Sequence, residues 1–128
     1  MSPSKKIIHH NRLELNAADI RACVAVLKSG QLAQGPKVEA LERAWAQASG
    51  KKFAAAVSSG VSALRLGLHA LGVKAGDEVI VPGYSCVALM NPILSLGAKP
   101  ILADIVDDGL TLDPAAVAKS ITRRTKAV

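Results

Sequence analysis

Aromatic side chains are nearly absent from this sequence of 128 residues, in which phenylalanine, tryptophan and tyrosine together make up 2%. Proteins that bind single-stranded nucleic acids stack bases on aromatic rings, so this composition argues against a nucleic-acid partner although the net charge is +6. The basic residues are scattered along the chain except within 121–126. We therefore expect a solvated basic surface and no nucleic-acid interface.

Long hydrophobic runs and paired cysteines are also missing. No apolar stretch reaches the roughly 20 residues that a membrane-spanning helix needs, and residues 1–8 contain no apolar stretch of signal-peptide length. Cys23 and Cys86 show neither metal-ligand nor disulfide-framework spacing. His9 and His10 are adjacent and therefore do not share one face of a strand or helix as metal ligands would. These absences predict a cytoplasmic protein with reduced thiols, no membrane contact and no metal.

Half of the residues are apolar, and their spacing predicts an α/β fold. Two helices come first, one capped by Asn16 and stopped by Gly30, and one that begins at Pro36 and ends at Gly50. Trp45 is expected to pack the second helix onto a sheet. After these helices, short apolar strands alternate with further helices, which indicates a mostly parallel sheet with flanking helices. The predicted strands are 53–57, 78–81, 101–103 and 126–128, and the helices between them are 63–71, 85–96 and 114–121.

Two features of this pattern concern its boundaries. Residues 1–15 are predicted to form an N-terminal segment and residues 16–128 the folded portion. Pro92 either kinks the helix predicted for 85–96 or marks its true beginning. The last predicted strand has only three residues, whereas strands usually contain five or six, which predicts that the domain is truncated.

The sequence Ser-Ser-Gly-Val-Ser at 58–62 lies between the first predicted strand and a helix. A serine- and glycine-rich turn at a helix start directs unpaired N–H groups and the positive end of the helix dipole to one place, where a phosphate fits. A serine cap followed by a tight glycine turn explains the same residues without a ligand. The first crossover turn of a parallel sheet is a usual ligand position, which favours the anion site. Substitution Gly60→Asp should then abolish phosphate affinity through lost turn geometry and charge repulsion.

Five sequence motifs support a more specific interpretation. They are Ser-Gly-Gln-Leu-Ala-Gln-Gly-Pro-Lys-Val at 29–38, Ser-Ser-Gly-Val-Ser-Ala-Leu at 58–64, Gly-Asp-Glu-Val-Ile-Val-Pro at 76–82, Gly-Ala-Lys-Pro at 97–100 and Ile-Thr-Arg-Arg-Thr-Lys-Ala-Val at 121–128. In this order they resemble the DegT/DnrJ/StrS family of aminotransferases that depend on pyridoxal 5'-phosphate (PLP). The resemblance implies the N-terminal part of the fold type I large domain, a nucleotide-linked keto-sugar as substrate, an amino donor such as glutamate, and a homodimer.

The resemblance also assigns site residues. Those expected to bind the cofactor are Ser59, Gly60, Val61, Ser62 and Cys86, and those expected to bind the substrate are Gln31, Leu32 and Tyr84. Val61 stands where the family usually has threonine, so one hydroxyl to the phosphate is lost. Cys86 stands where an aromatic ring often stacks on the cofactor, and either touches the cofactor or is a small buried hydrophobe.

No catalytic residue is assigned, because the lysine that bonds the cofactor lies beyond Val128 in the family order. None of the candidate lysines follows a strand as such a lysine would; they are Lys37, Lys51, Lys52 and Lys74. Three alternatives to the aminotransferase stay open. They are a sugar dehydratase of the same family, a stand-alone phosphate- or nucleotide-binding module, and an inactive remnant with an interaction role.

Overall fold

The structure, a computed structural model, describes residues 11–128. It divides into two compact units, the first ending at Ala56 and the second spanning Val57–Val128. His9 and His10 lie outside the described residues. The division predicted from sequence, 1–15 and 16–128, stays a prediction.

The first unit contains two helices, α1 (Ala17–Ser29) and α2 (Pro36–Ala48). The side chain of Asn16 accepts the N–H groups of Ala18 and Asp19, and the Asp19 carboxylate accepts the Asn16 N–H in return, which closes a capping box. Gly30 ends α1 with a φ of 71°, a conformation that glycine adopts without strain. Both helices predicted for this region are confirmed.

Two other expectations for the first unit are wrong. Residues 53–57 do not form a strand, because a strand needs a hydrogen-bonded neighbour and no strand of residues 11–128 pairs with them. Trp45 is 67% exposed and does not pack under a sheet. It lies beside Leu41 in a groove of about 240 Å³ that residues 54–56 also line.

The second unit alternates helices and strands as the sequence predicts. Its elements are α3 (Gly60–Ala70), β1 (Glu78–Pro82), a 3₁₀ helix (Val87–Leu89), α4 (Met90–Ser95), β2 (Lys99–Ala103), α5 (Pro114–Ser120) and β3 (Thr125–Ala127). The strands form a parallel sheet in the order β2-β1-β3. The expected α/β fold with a parallel sheet and flanking helices is therefore confirmed. Within residues 11–128 no helix is both long enough and apolar enough to cross a membrane.

The core of the second unit lies on β1, the central strand. Val79 and Val81 point to one face of the sheet, where Ile93 of α4 and Leu68 of α3 pack against them. Ile80 points to the opposite face and is 1% exposed. This burial on both faces explains why β1 is a continuous apolar run and why it was predictable from sequence.

The helix predicted for 85–96 is shorter than expected. The chain forms a 3₁₀ turn at Val87–Leu89 before the α-helical part begins at Met90. Pro92 falls in the first turn of α4, where its missing N–H would have had no partner inside the helix. Of the two roles considered for Pro92, it marks the beginning of the helix.

Candidate functional site

The 58–62 turn begins α3 and leaves two backbone donors unpaired. Ser59 is the residue before the helix; its carbonyl accepts the N–H of Ala63 at 3.0 Å, and its side-chain oxygen accepts the N–H of Ser62 at 3.1 Å. Among residues 11–128, nothing accepts a hydrogen bond from the N–H groups of Gly60 and Val61. Both donors belong to the first turn of the helix, where they have no partner within the helix itself.

Three hydroxyl groups surround these donors. The Ser62 oxygen lies 3.1 Å from that of Ser58 and 3.0 Å from that of Ser59. All three serines lie within the same few residues, so the helix start carries a compact set of hydrogen-bonding oxygens. Together with the two N–H groups, this set can bind an oxyanion.

The charge at the start of α3 favours an external anion. The helix has 11 residues and no acidic side chain in its first turn, so no side chain of that turn neutralises the positive end of its dipole. The other long helices differ, since Asp19 lies in the first turn of α1 and Glu39 in that of α2. Of the three helices, α3 is the one whose start is left open to a ligand charge.

The structure does not support the role in turn geometry that the sequence predicts for Gly60. It is the first helical residue and does not have the positive φ that requires glycine. A β-carbon built at Gly60 would meet no atom within 4 Å. The turn therefore does not depend on glycine for its geometry, and there is room for a side chain at this position.

Tyr84 and Cys86 lie on the loop that follows β1. The loop is anchored at its start, where the N–H of Gly83 donates to the carbonyl of Ala103 at the end of β2, at 2.8 Å. Cys86 is exposed and directly precedes the 3₁₀ helix, which contacts α3. The alternative that Cys86 is a small buried hydrophobe is therefore wrong. Tyr84 is 66% exposed, and no hydrogen bond among residues 11–128 joins either side chain to the 58–62 turn.

The predicted substrate residues Gln31 and Leu32 belong to the first unit. They line a surface pocket of about 360 Å³ between the end of α1 and the start of α2, together with Ser29 and Lys37. The N–H of Gln31 donates to the Ser29 side chain at 3.2 Å, and the N–H of Leu32 donates to the carbonyl of Gly30 at 3.1 Å. The structure thus places these two residues side by side in one concave surface.

A polar cluster that the sequence analysis missed lies at the opposite end of β1. Glu78 is only 3% exposed, and its carboxylate accepts hydrogen bonds from the Thr122 hydroxyl at 2.6 Å and from the Arg124 guanidinium at 2.6 and 2.9 Å. The Thr122 hydrogen bond, then that of Arg124, and the positive charges of Arg124 and Lys99 lower the pKa of Glu78, whereas burial acts in the other direction.

The polar atoms of this cluster are paired with one another, so we assign the cluster a role in stabilising the fold. Its partners are 44 and 46 residues apart in sequence, which is why periodicity did not reveal it. One signal was present: a glutamate that opens an apolar strand has to be paired when the strand is buried. Within residues 11–128, no group of three or more histidine, cysteine or acidic side chains is placed to hold a metal ion.

The fold and the 58–62 turn together indicate the class of protein. The second unit is an α/β structure with a parallel sheet, and a helix start that offers unpaired N–H donors and hydroxyls suits a phosphate group. Residues 14–128 match the DegT/DnrJ/EryC1/StrS aminotransferase family. The chain belongs to this family, as its five sequence motifs predict.

Solved structures of family enzymes are similar to this chain. Spr1654 of Streptococcus pneumoniae, assigned as a sugar aminotransferase and solved in its PLP form, is 34% identical with a TM-score of 0.80, over 88% of this chain and 29% of its own. DesV of S. venezuelae, solved with a ketimine intermediate, is 40% identical with a TM-score of 0.77, over 84% of this chain and 29% of its own.

A third similar structure has a different activity. The GDP-4-keto-6-deoxy-D-mannose-3-dehydratase of E. coli, solved with bound hydrated PLP, is 29% identical with a TM-score of 0.80, over 89% of this chain and 31% of its own. The chain therefore spans about three tenths of the length of these three proteins. Two of the three were solved with PLP bound.

Proposed function

We propose that this chain is part of a PLP-dependent aminotransferase that acts on a nucleotide-linked keto-sugar, and that the 58–62 turn holds the phosphate group of the cofactor. The observation that carries the proposal is the pair of unpaired N–H groups at Gly60 and Val61, set at the start of a helix with no acidic first-turn residue. Membership of the aminotransferase family supports the assignment of the anion as PLP.

The residues of the turn fit a phosphate monoester. The N–H groups of Gly60 and Val61 donate to its oxygens, and the hydroxyl cluster of Ser58, Ser59 and Ser62 adds donors on the same side. Val61 contributes only its backbone. When bound, PLP would supply an electron sink through its pyridine ring. Cys86, on the exposed loop after β1, is the residue proposed to touch the cofactor.

The lysine that bonds the cofactor is proposed to lie outside these 128 residues. Lys51 and Lys52 follow α2, Lys74 lies between α3 and β1, and Lys99 opens β2 at its amino end. None of them follows the carboxyl end of a strand, where ligands bind in a parallel sheet. We therefore expect the 128-residue chain on its own to bind phosphate compounds without transferring amino groups.

The remaining partners follow from the family. We propose a nucleotide-linked keto-sugar as acceptor, an amino donor such as glutamate, a homodimer as the active form and the cytoplasm as its location. Gln31 and Leu32, side by side in their pocket, and Tyr84 on the loop after β1 are the residues proposed to contact the substrate.

The proposal is tested with 4'-deoxypyridoxine 5'-phosphate, which carries the phosphate of PLP but no aldehyde that would react with surface lysines. Titration into the 128-residue chain should shift the amide resonances of Gly60 and Val61, and 4'-deoxypyridoxine without phosphate should leave them in place. Shifts that are equal for both compounds, or absent for both, would remove the turn from the cofactor site. Inorganic phosphate binding as tightly as the pyridoxine compound would favour the stand-alone phosphate-binding module.

A second function within the family is a PLP-dependent sugar dehydratase, which is favoured by the similarity to the E. coli dehydratase at a TM-score of 0.80. An assay with a nucleotide-linked keto-sugar and glutamate, made on the longer protein that is proposed to contain this chain, separates the two functions. An amino-sugar product, in which the nitrogen of glutamate is kept on the sugar, supports the aminotransferase. A keto-sugar in which one C–OH has become C–H supports the dehydratase; glutamate then supplies the two electrons and its nitrogen is released as ammonia.

A further inference from the structure

The backbone of residues 53–57 has an unusual lack of partners. The segment joins no strand, and among residues 11–128 its backbone makes one hydrogen bond, from the N–H of Ala56 to the carboxylate of Glu42. The donor and acceptor atoms are 2.8 Å apart and the two residues are 14 positions apart in sequence. A single side chain therefore does what a neighbouring strand usually does for an extended segment.

Glu42 is well placed for this role within the first unit. It lies on α2, is half-buried, and lines the groove in which residues 54–56 run beside Leu41 and Trp45. Its carboxylate forms no ion pair with any of residues 11–128. The charge of Glu42 is thus directed to a backbone N–H, a type of hydrogen bond stronger than one between neutral groups.

We infer that Glu42 is a positioning residue for the 58–62 turn. Val57 alone separates the held residue Ala56 from Ser58, the first hydroxyl of the turn. Because the Glu42 carboxylate accepts the N–H of Ala56, it limits the rotation of the peptide unit two residues before the turn. The importance of this for cofactor binding rests on the proposed function, whereas its effect on the turn itself does not.

Amide exchange in the ligand-free 128-residue chain tests the inference. In Glu42→Ala, exchange at Ala56 should become about tenfold faster, as expected for loss of one charge-assisted hydrogen bond, and the amide resonances of Gly60 and Val61 should shift. Glu42→Gln, which keeps an oxygen acceptor in the same place, should restore both. Glu39→Ala is the matched control one turn earlier on α2, and should behave like the unaltered chain.

Two results would overturn the inference. One is faster exchange at Ala56 with unchanged resonances at Gly60 and Val61, which would make the hydrogen bond purely local; the other is no change at Ala56. If Glu42→Ala loses the helical circular dichroism signal, Glu42→Met replaces it, because methionine keeps the side-chain length and offers no oxygen.

Binding of 4'-deoxypyridoxine 5'-phosphate to the same variants separates this inference from the proposed function. A chain that does not bind the compound but shows the expected exchange pattern would refute the cofactor site and leave the positioning role intact. If the chain binds the compound equally well with and without Glu42, and the resonances at Gly60 and Val61 are unchanged, the positioning role is refuted and the cofactor site is kept.

Discussion

Polar groups are paired with one another at the amino end of β1 but are left unpaired at the start of α3. At the amino end of β1, the almost completely buried carboxylate of Glu78 accepts hydrogen bonds from Thr122 and Arg124. At the start of α3, the N–H groups of Gly60 and Val61 have no partner among residues 11–128. Self-paired polar groups stabilise a fold, whereas exposed unpaired donors are available to a ligand. The contrast separates a structural cluster from a proposed binding site within one unit.

The largest expected effect is on stability and comes from the paired cluster. Glu78→Ala leaves Arg124 and Thr122 without their acceptor and removes a side chain that is only 3% exposed, so it should cause the largest fall in the urea midpoint of unfolding. Glu78→Gln, which retains an acceptor oxygen, should lose less. Glu39→Ala, which breaks an exposed ion pair, is the control and should change the midpoint little.

The second effect is on binding and leaves stability unchanged. Gly60→Asp places a negative charge in the first turn of α3, which carries the free N–H groups, so affinity for 4'-deoxypyridoxine 5'-phosphate should fall on the order of a hundredfold through like-charge repulsion. Gly60→Ala should bind normally, because the space at Gly60 is open. Isothermal titration measures both variants. Weak binding by the alanine variant would show that glycine matters for geometry after all.

The third prediction concerns acid. The pKa of Glu78 lies below its ordinary value of 4.5 in the folded chain, so its contribution to stability is complete above that value and is lost as the pH falls through the lower folded pKa. Unfolding midpoints measured downwards from pH 6 should decline over this range. The decline should be shallower in Glu78→Gln, which has no proton to take up. An identical slope in both proteins would assign the acid sensitivity to other carboxylates.

The smallest expected effect comes from the cap of α3. Ser59→Ala removes the acceptor of the Ser62 N–H and should cost about 1 kcal/mol in the free energy of unfolding. Phosphate binding should weaken as well, because one hydroxyl of the site is lost. Ser85→Ala, at a serine with no side-chain hydrogen bond among residues 11–128, is the matched control in a urea titration.

Features that depend on neighbouring residues were predictable from the sequence, whereas features that depend on distant residues were not. The start of α1 at Asn16 and its stop at Gly30 depend on residues within a few positions, and both are confirmed. The strand predicted at 53–57 failed because pairing depends on a distant neighbour. The predicted burial of Trp45 was wrong for the same reason, since the burial of a large side chain depends on what packs against it.

The candidate site shows the same division. The sequence indicated which residues form the turn and that a serine caps the helix. It did not show that the N–H of Ser62 donates to the Ser59 side chain, which leaves the N–H groups of Gly60 and Val61 without a partner among residues 11–128. Glu42 was also missed, because the bond from a helix side chain to a backbone N–H 14 residues away has no periodic signature.

The serines of the turn also have a consequence that follows from counting protons. Ser58, Ser59 and Ser62 carry three hydroxyl protons, and their two oxygen–oxygen contacts use two of them. One proton therefore remains to point outwards, and rotation about the C–O bonds decides which serine presents it. The turn therefore has one adjustable donor beside two fixed ones. When a phosphate oxygen moves, this hydroxyl can rotate towards it while the backbone stays in place.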